Sequence, residues 1–381
     1  MMPAKTWTLT DVDAGIFEAD WKTELTDDVI IEKRTLQGGR QHGVDSVKVT
    51  SDTFSFEVLP TRGMNIWKMW AGNFEYGWKS PTKGPVHPSL VPLMEPSGLG
   101  WLDGFDEVFA RCGLESNGAP EFDAEGKLVH PLHGKIANTP ARKVSVEVDA
   151  DCVKIIGVTE EARFHFMKLR LTSTITWKMG TTSLEIDDEV ENLSAQDADI
   201  QMLYHINFGV PLLDGGSQVV APIKTVVPRN DHSASSIEEW QNYSAPTIGF
   251  EEQVYFLELA GDDRGNSQTV LKNADESKGV AIRFNVNELP CFSLWKNTAG
   301  AEDGYVTGLE PATNFPNPKS FEKQKGRVVH IPGRGKHSFS VGIDCLDSPA
   351  KVSKAVADVK KLEPADATLN EHPLKHWCDG A

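Results

Sequence analysis

Apolar residues recur at every second position in run after run between residues 45 and 346, and turn residues cut the runs at short intervals. No other feature limits the fold as much, because side chains alternate across a strand and period two marks strands with one buried face. Val47 and Val49 alternate with polar residues. After Ser51-Asp52, Phe54, Phe56 and Val58 do the same, which predicts a hairpin running into Pro60-Thr61-Arg62-Gly63-Met64-Asn65-Ile66. Val144, Val146 and Val148 form a further run, followed past Asp149-Ala150-Asp151 by Val153 and Ile155. Met167, Leu169, Leu171, Ile175 and Trp177 continue it, and Leu184, Ile186 and Val190 follow the Gly180 turn. Shorter apolar runs at 200–210, 255–259, 270–271, 280–286, 292–295 and 339–343 complete an all-β pattern of the sandwich or barrel kind.

Only the tail carries the helical period. Val352, Val356, Val359 and Leu362 share one face, Ser348 is a suitable N-cap, and Pro349 suits the first helical position. Residues 364–381 read as a loose arm. Residues 1–44 are polar and mixed, with Gly38-Gly39 and Gly43 breaking any period. The expected organisation is an N-terminal extension at 1–44 packed on the sandwich, one large β domain at 45–346, and a helix and arm at 347–381. A chain of 381 residues can bury a sizeable core in that way.

Residues 81–131 stand apart. Prolines and glycines interrupt them throughout, among them Pro81, Pro85, Pro88, Pro92 and Pro96, a short helix is expected around 102–112, and Trp101, Phe105 and Phe109 lie among them. Long irregular connections inside compact domains are uncommon and often functional. This one reads either as a wall or lid over a pocket or as a cover for a sheet edge.

The net charge of −17 disfavours nucleic acid and anionic membrane as partners and suits a soluble protein acting on a neutral or weakly charged small molecule. The N-terminus shows no apolar signal region, and no apolar run approaches membrane-spanning length. Five scattered cysteines without CxxC spacing point to free thiols in a reducing cytoplasm. No phosphate-binding, dinucleotide-binding or GxSxG motif occurs, and no cofactor is expected.

Three stretches offer chemistry. His130-Pro131-Leu132-His133-Gly134-Lys135-Ile136-Ala137-Asn138 closes the irregular region, and the glycine after His133 allows close approach of a ligand. In Leu203-Tyr204-His205-Ile206-Asn207-Phe208-Gly209, period two sets His205 on one face with Leu203 and Asn207. In Gly308-Leu309-Glu310-Pro311, the proline stops the ladder and leaves the Glu310 carboxylate at a strand mouth. Each has a plainer reading: a turn histidine satisfied by backbone, a hydrogen-bonded strand histidine, a solvated glutamate before a turn. Two histidines and a glutamate at strand ends also form an acid–base set. His130 and His133 could share a metal with a distant carboxylate, but the spacing does not ask for one, and none is expected. Two-carboxylate chemistry would need a second acid, for which Asp106, Glu107 and Glu115 are equal candidates.

The order of these motifs resembles the aldose 1-epimerase (galactose mutarotase-like) superfamily, and more closely a bacterial branch of it described only as a domain of unknown function. The resemblance rests on Leu132-His133-Gly134, Tyr204-His205-Ile206-Asn207-Phe208 and Gly308-Leu309-Glu310-Pro311, with Leu59 to Ile66 and Cys112-Gly113-Leu114 pointing to the branch. It spans roughly residues 45 to 345 and implies a large antiparallel supersandwich with a sugar pocket. It further implies that Glu310 takes the proton of the C1 hydroxyl while His205 protonates the ring oxygen, with His133 holding a hydroxyl or sharing the acid role. Rotation about C1–C2 and reclosure give the other anomer of a free sugar. The alternatives are a sugar-binding protein without turnover, or a lyase or hydrolase on the same fold. The family's sugar-binding Arg has no close match; Arg62 and Arg111 are the candidates, with Asn138 and Asn207 beside the two histidines. Asp231 is the candidate for the hydroxyl-binding Asp. Trp295 offers either a face to a sugar ring or a core residue. The resemblance leaves the sugar and the oligomeric state open.

Overall fold

The computed structural model describes residues 2–26 and 28–381. Two large sheets face each other. One has ten strands, running from Gln218–Val220 at one edge through Lys336–Leu346, Ser183–Asn192, Lys168–Lys178 and Cys152–Ala162 to Met2–Asp11 and Ile16–Phe17. The other has twelve strands in line and a thirteenth branching from it. Its central strands are Cys291–Asn297, Val306–Ala312, Leu203–Gly209 and Phe109–Cys112. All but one of the pairings between neighbouring strands in these two sheets are antiparallel; the exception joins Ile223–Pro228 to Thr368–Leu369.

The predicted alternation explains the ten-stranded sheet directly. In Lys143–Ala150, Val144, Val146 and Val148 are buried while the intervening residues are partly exposed. Together with Ile155, Leu171, Ile186 and Val341 they meet Val47, Phe56 and Ile66 of the opposite sheet in one continuous core. Each such side chain contributes about 1.5–3 kcal/mol when fully buried. Leu203–Gly209 differs, since every residue in it is buried. Tyr204, Ile206 and Phe208 enter the inter-sheet core, while Leu203 joins a second cluster with Trp101, Phe105 and Ala110 on the far face.

The irregular 81–131 segment creates that second cluster. It lies over the outer face of the central strands and is tied down by Arg62. The guanidinium pairs with Glu107 and donates to the carbonyls of Val86 and Gly104, at 2.9 Å each, and to Asn138 Oδ1 at 2.7 Å. The segment is thus a wall over the sheet. The helix expected around 102–112 is absent; a 3-10 turn, Gly100–Gly104, precedes a strand, Phe109–Cys112. Apolar residues at 101, 105 and 109 share a helical spacing, but Trp101 and Phe105 face the wall while Phe109 faces the core.

Both terminal segments join the sandwich, and the C-terminal one is not the loose arm expected. Residues 1–44 extend both sheets: Met2–Asp11 pairs with Lys143–Ala150, and Asp20–Glu24 and Ile30–Thr35 continue the larger sheet. The 364–381 arm is docked. Thr368–Leu369 pairs with Ile223–Pro228, Trp377 packs 4.6 Å from Phe315 between ring centroids, and Cys378 is buried. The helix Pro349–Lys360 begins as predicted, with Ser348 capping the Lys351 N–H. Among the described residues all five cysteines are free, and no helix is long and apolar enough to cross a membrane.

Candidate active site

Glu310 is inside a central strand, Val306–Ala312, and not at a strand mouth. Pairing with Leu203–Gly209 runs from Leu203 opposite Ala312 to Ile206 opposite Leu309 in constant register, so His205 lies opposite Glu310. The ladder is unpaired at those positions because Pro311 has no N–H. Directly opposed residues share a face. His205 Nε2 and Glu310 Oε1 are accordingly 3.2 Å apart, with the two residues only 4 % and 3 % exposed. The contact lies outside hydrogen-bond geometry, and among the described residues Glu310 Oε1 has no hydrogen-bond partner. On its other flank Glu310 faces Ser293, whose buried hydroxyl also has none.

Two glycines make the arrangement possible. A Cβ on Gly308 would come within 2.4 Å of Glu310 Oε1 and 3.1 Å of His205 Cε1, so only glycine leaves room for the pair. Gly134 has φ 72° and a Cβ there would strike the Ser116 carbonyl oxygen at 2.1 Å. Its role is therefore close backbone packing, where the sequence had suggested close approach of a ligand. The packing holds His133 in a left-handed conformation, φ 57°, with its N–H on the Gly118 carbonyl at 2.9 Å.

Hydrogen bonds set both imidazole tautomers. His133 Nδ1 is 2.9 Å from the Asn117 carbonyl oxygen, which can only accept. His205 Nδ1 is 2.6 Å from Asn207 Oδ1, and Asn207 is oriented by donating Nδ2–H to the carbonyls of Glu107, at 3.1 Å, and His205, at 3.0 Å. Both rings therefore carry their proton on Nδ1 when neutral and present an Nε2 lone pair. The rings stand edge to face, 5.2 Å apart.

Burial controls their charge. It lowers His205 well below the ordinary imidazole value, and neighbouring His133 lowers it further against the Asn207 hydrogen bond. His133 is pushed down to about 4 by burial, with Arg229 adding and the Asn117 carbonyl opposing. Glu310 is raised well above the ordinary carboxyl value by burial and by Glu252, against Arg229. An uncharged His205 beside a protonated Glu310 is the favoured resting state, and the pair then holds one transferable proton.

These groups line one cavity of about 330 Å³, a size suited to one small molecule. Trp101, Phe105 and Trp295 surround His205, with ring centroids 5.8, 5.1 and 5.5 Å away. Trp295 is thus a wall of the cavity, fixed by a 2.7 Å bond from its Nε1 to Glu252. A larger groove of about 490 Å³ on the ten-stranded sheet has its Arg283 already paired with Glu185 and Asp344 and offers no comparable unpaired group. Among the described residues no cluster of three His, Cys, Asp or Glu side chains is set to hold a metal ion.

The structure brings Glu310, His205, His133 and Trp295 together at the cavity. Asn207 stands behind His205. Arg62 and Asn138 bind each other away from the cavity, holding the wall segment. Arg111 points into the inter-sheet core, where its Nε and Nη2 lie 2.6 and 3.0 Å from the two Asp188 oxygens. Both arginines are fully engaged and buried, so neither contacts the cavity. Asp231 opens a short helix, Asp231–Ala234, and also lies outside the cavity lining. Two charged lining residues, Arg229 and Glu252, were not singled out from the sequence. Arg229 stands two positions before Asp231, in a stretch with no period-two signal to draw attention to it.

A family model described as "Domain of unknown function (DUF4432)" matches residues 41–345. Among solved structures, the "putative aldose 1-epimerase" of Klebsiella pneumoniae is 33 % identical, with 98 % of this chain and 99 % of that chain covered and a TM-score of 0.94. A "galactose mutarotase-like protein" of Clostridium acetobutylicum shares 14 % identity over 84 % of this chain and 99 % of its own, with a TM-score of 0.59. The "galactose 1-epimerase" of Lactobacillus acidophilus shares 11 % over 83 % and 98 %, with a TM-score of 0.55. The last two likenesses concern the fold, which is that of the galactose mutarotase-like sandwich. No curated protein matches the chain.

Proposed function

We propose that this chain, which belongs to the DUF4432 family, is an isomerase that interconverts the anomers of a free sugar by acid–base ring opening. The observation that carries the reading is the His205–Glu310 pair: two groups of complementary proton affinity, 3.2 Å apart in a closed aromatic cavity, with a buried carboxyl oxygen left without a partner. A carboxyl and an imidazole set side by side on a cavity wall can exchange protons with a bound ring, an arrangement that a binding protein without turnover does not require.

The chemistry needs one proton in the pair. On substrate binding the two side chains turn into a hydrogen bond, the proton moves from Glu310 to His205 Nε2, and Glu310 becomes the base. Glu310 then accepts the C1 hydroxyl proton as the C1–ring-oxygen bond breaks and C1 becomes a carbonyl. His205 gives its proton to the ring oxygen, which leaves as a hydroxyl. The pair is now an uncharged imidazole and a carboxylic acid, the form that burial favours. After rotation about C1–C2 the same two transfers run in reverse on the other face of the carbonyl. Each proton transfer contributes about 10²–10⁴-fold. His133, with its Nε2 lone pair toward the cavity, accepts a hydrogen bond from a ring hydroxyl, and Trp101 and Trp295 cover apolar faces of the ring.

The test is anomer exchange by NMR with a panel of pure anomers, for the wild-type protein and Glu310→Gln. Acceleration by wild type alone is the expected result. If wild type accelerates exchange of no sugar, the isomerase reading is abandoned.

A further inference from the structure

The cavity holds one permanent cation that the ring-opening chemistry does not use. Arg229 follows the edge-side strand Ile223–Pro228, and its backbone N–H is fixed on the Val254 carbonyl at 2.9 Å. Its side chain lines the same cavity as His205, His133 and Glu310. Among the described residues it forms no ion pair and no side-chain hydrogen bond, although the other arginines beside carboxylates do. Glu252 also lines the cavity, but its carboxylate accepts from Trp295 Nε1 at 2.7 Å and makes no ion pair with Arg229. The guanidinium therefore keeps five donors in a fixed planar fork, in a chain whose net charge is −17 and which has carboxylates to spare. The remaining wall near it is apolar, including Val254 and Pro316. Arg229 is half-buried, so the guanidinium stays reachable, and a neutral sugar would give it no charge-assisted partner.

We infer that the substrate is an aldose bearing one anionic group, and that Arg229 binds this group while the anomeric end lies against Glu310 and His205. A guanidinium fork matches the paired oxygens of a carboxylate or of a phosphate ester. The inference rests on the ring-opening reading of the site, and adds the class of sugar to it. It also gives the orientation: the anionic substituent lies at the Arg229 end, so the ring is gripped at one end and opened at the other. Binding energy at a remote group then serves to hold the reacting atoms between the two proton-transfer groups.

The experiment compares matched sugars at one ionic strength: D-glucose and D-galactose, D-glucuronate and D-galacturonate, and the two hexose 6-phosphates. Anomer exchange is followed by NMR and binding is followed separately by titration calorimetry, for wild type, Arg229→Met and Arg229→Lys, each checked for wild-type melting. One anionic class is expected to show a KM about 10- to 100-fold below the neutral hexoses, the range of one charge-assisted hydrogen-bonding pair. Arg229→Met should raise that KM by about the same factor and change the KM for neutral hexoses much less; Arg229→Lys should recover part of the loss. The uronate and phosphate arms tell carboxylate from phosphate. If neutral hexoses exchange as well as either anionic class and Arg229→Met changes nothing, the anionic substrate is overturned while ring opening stands. If anionic sugars bind wild type but not Arg229→Met, and no exchange is accelerated, the anion site stands and the ring-opening reading falls. If no anionic sugar binds at all, the inference is overturned whatever the exchange data show.

Discussion

Glu310 and His205 are cross-strand partners at the one place where their ladder is left unpaired, because Pro311 follows Glu310 and has no N–H to give. The side chains share a face, and the strand geometry alone brings Oε1 and Nε2 to 3.2 Å. Replacing either group should remove proton transfer without disturbing the scaffold. Glu310→Gln and His205→Asn are expected to slow anomer exchange by about 10²–10⁴-fold. Circular dichroism and melting should stay native-like, and unchanged exchange in either variant would take that residue out of the mechanism.

Glu310→Gln should also be at least as stable as wild type at neutral pH. Burial raises the folded Glu310 above its unfolded value of 4.5. As pH rises past 4.5 the unfolded chain loses this proton while the folded chain keeps it, so stability falls with pH over that interval. Glutamine carries no such penalty. Denaturant titrations at pH 4.5 and pH 7 should show the stability of the variant gaining on wild type as pH rises, and an equal gap at both would mean that the folded carboxyl ionises normally.

The same shifts fix the shape of the pH–rate profile. Activity needs one proton in the pair. Falling pH adds a second, on His205, whose value lies well below 6.5, and His133 takes up its proton near 4. Rising pH removes the only one, from Glu310, whose value lies well above 4.5. The profile of kcat/KM should therefore be a broad plateau across neutral pH with an acid limb below the ordinary imidazole range. Asn207→Asp places a carboxylate at His205 Nδ1 and should move that limb to higher pH. An acid limb centred at 6.5 in wild type would contradict the assignment.

Gly308→Ala tests how tightly the pair is held. The new methyl would meet Glu310 Oε1 at 2.4 Å and His205 Cε1 at 3.1 Å, and both are side-chain atoms able to shift. The strand itself accepts alanine, since the backbone at Gly308 does not adopt a positive φ. A displacement of about 1 Å at reacting groups costs on the order of 10²-fold in rate. Exchange should fall by about that factor while the melting temperature changes little. A variant with full activity would show that the pair tolerates other geometries.

Much of this was legible from residue order, and the part that was not has a common cause. Period two marks a strand only where one face is wet. It therefore found Lys143–Ala150 and its neighbours, and it set His205 and Asn207 on one face correctly. It could not separate wall from helix at 101–109, where the buried faces belong to two different clusters. Glu310 looked like a residue at a strand end because proline usually ends a ladder; here Phe292 pairs opposite Pro311 on the other side and the strand continues to Ala312. Arg229 and Glu252 reach the cavity from just beyond the ends of the paired strands Ile223–Pro228 and Gln253–Leu259, and no local pattern reports their meeting with His133 and Glu310.

The arginines give the final test, because sequence position alone suggested Arg62 and Arg111 for sugar contacts. Arg111 instead crosses the sandwich. It leaves the strand on the core face beside Phe109, meets both oxygens of Asp188 from the opposite sheet, and also donates to the Met64 carbonyl and to Ser173 Oγ, each at 2.6 Å. Tyr204 adds its hydroxyl to Asp188 at 3.1 Å, from the core face of the strand that carries His205 on its other face. Removing one member of a buried pair strands the other charge and costs about 3–5 kcal/mol. Arg111→Met should therefore lower stability by about that amount in denaturant titrations, whereas replacing Arg111 and Asp188 together with apolar residues should recover much of it. Where the single variant is still folded, at low temperature, its KM for sugar should match wild type. A raised KM with unchanged stability would return Arg111 to the substrate.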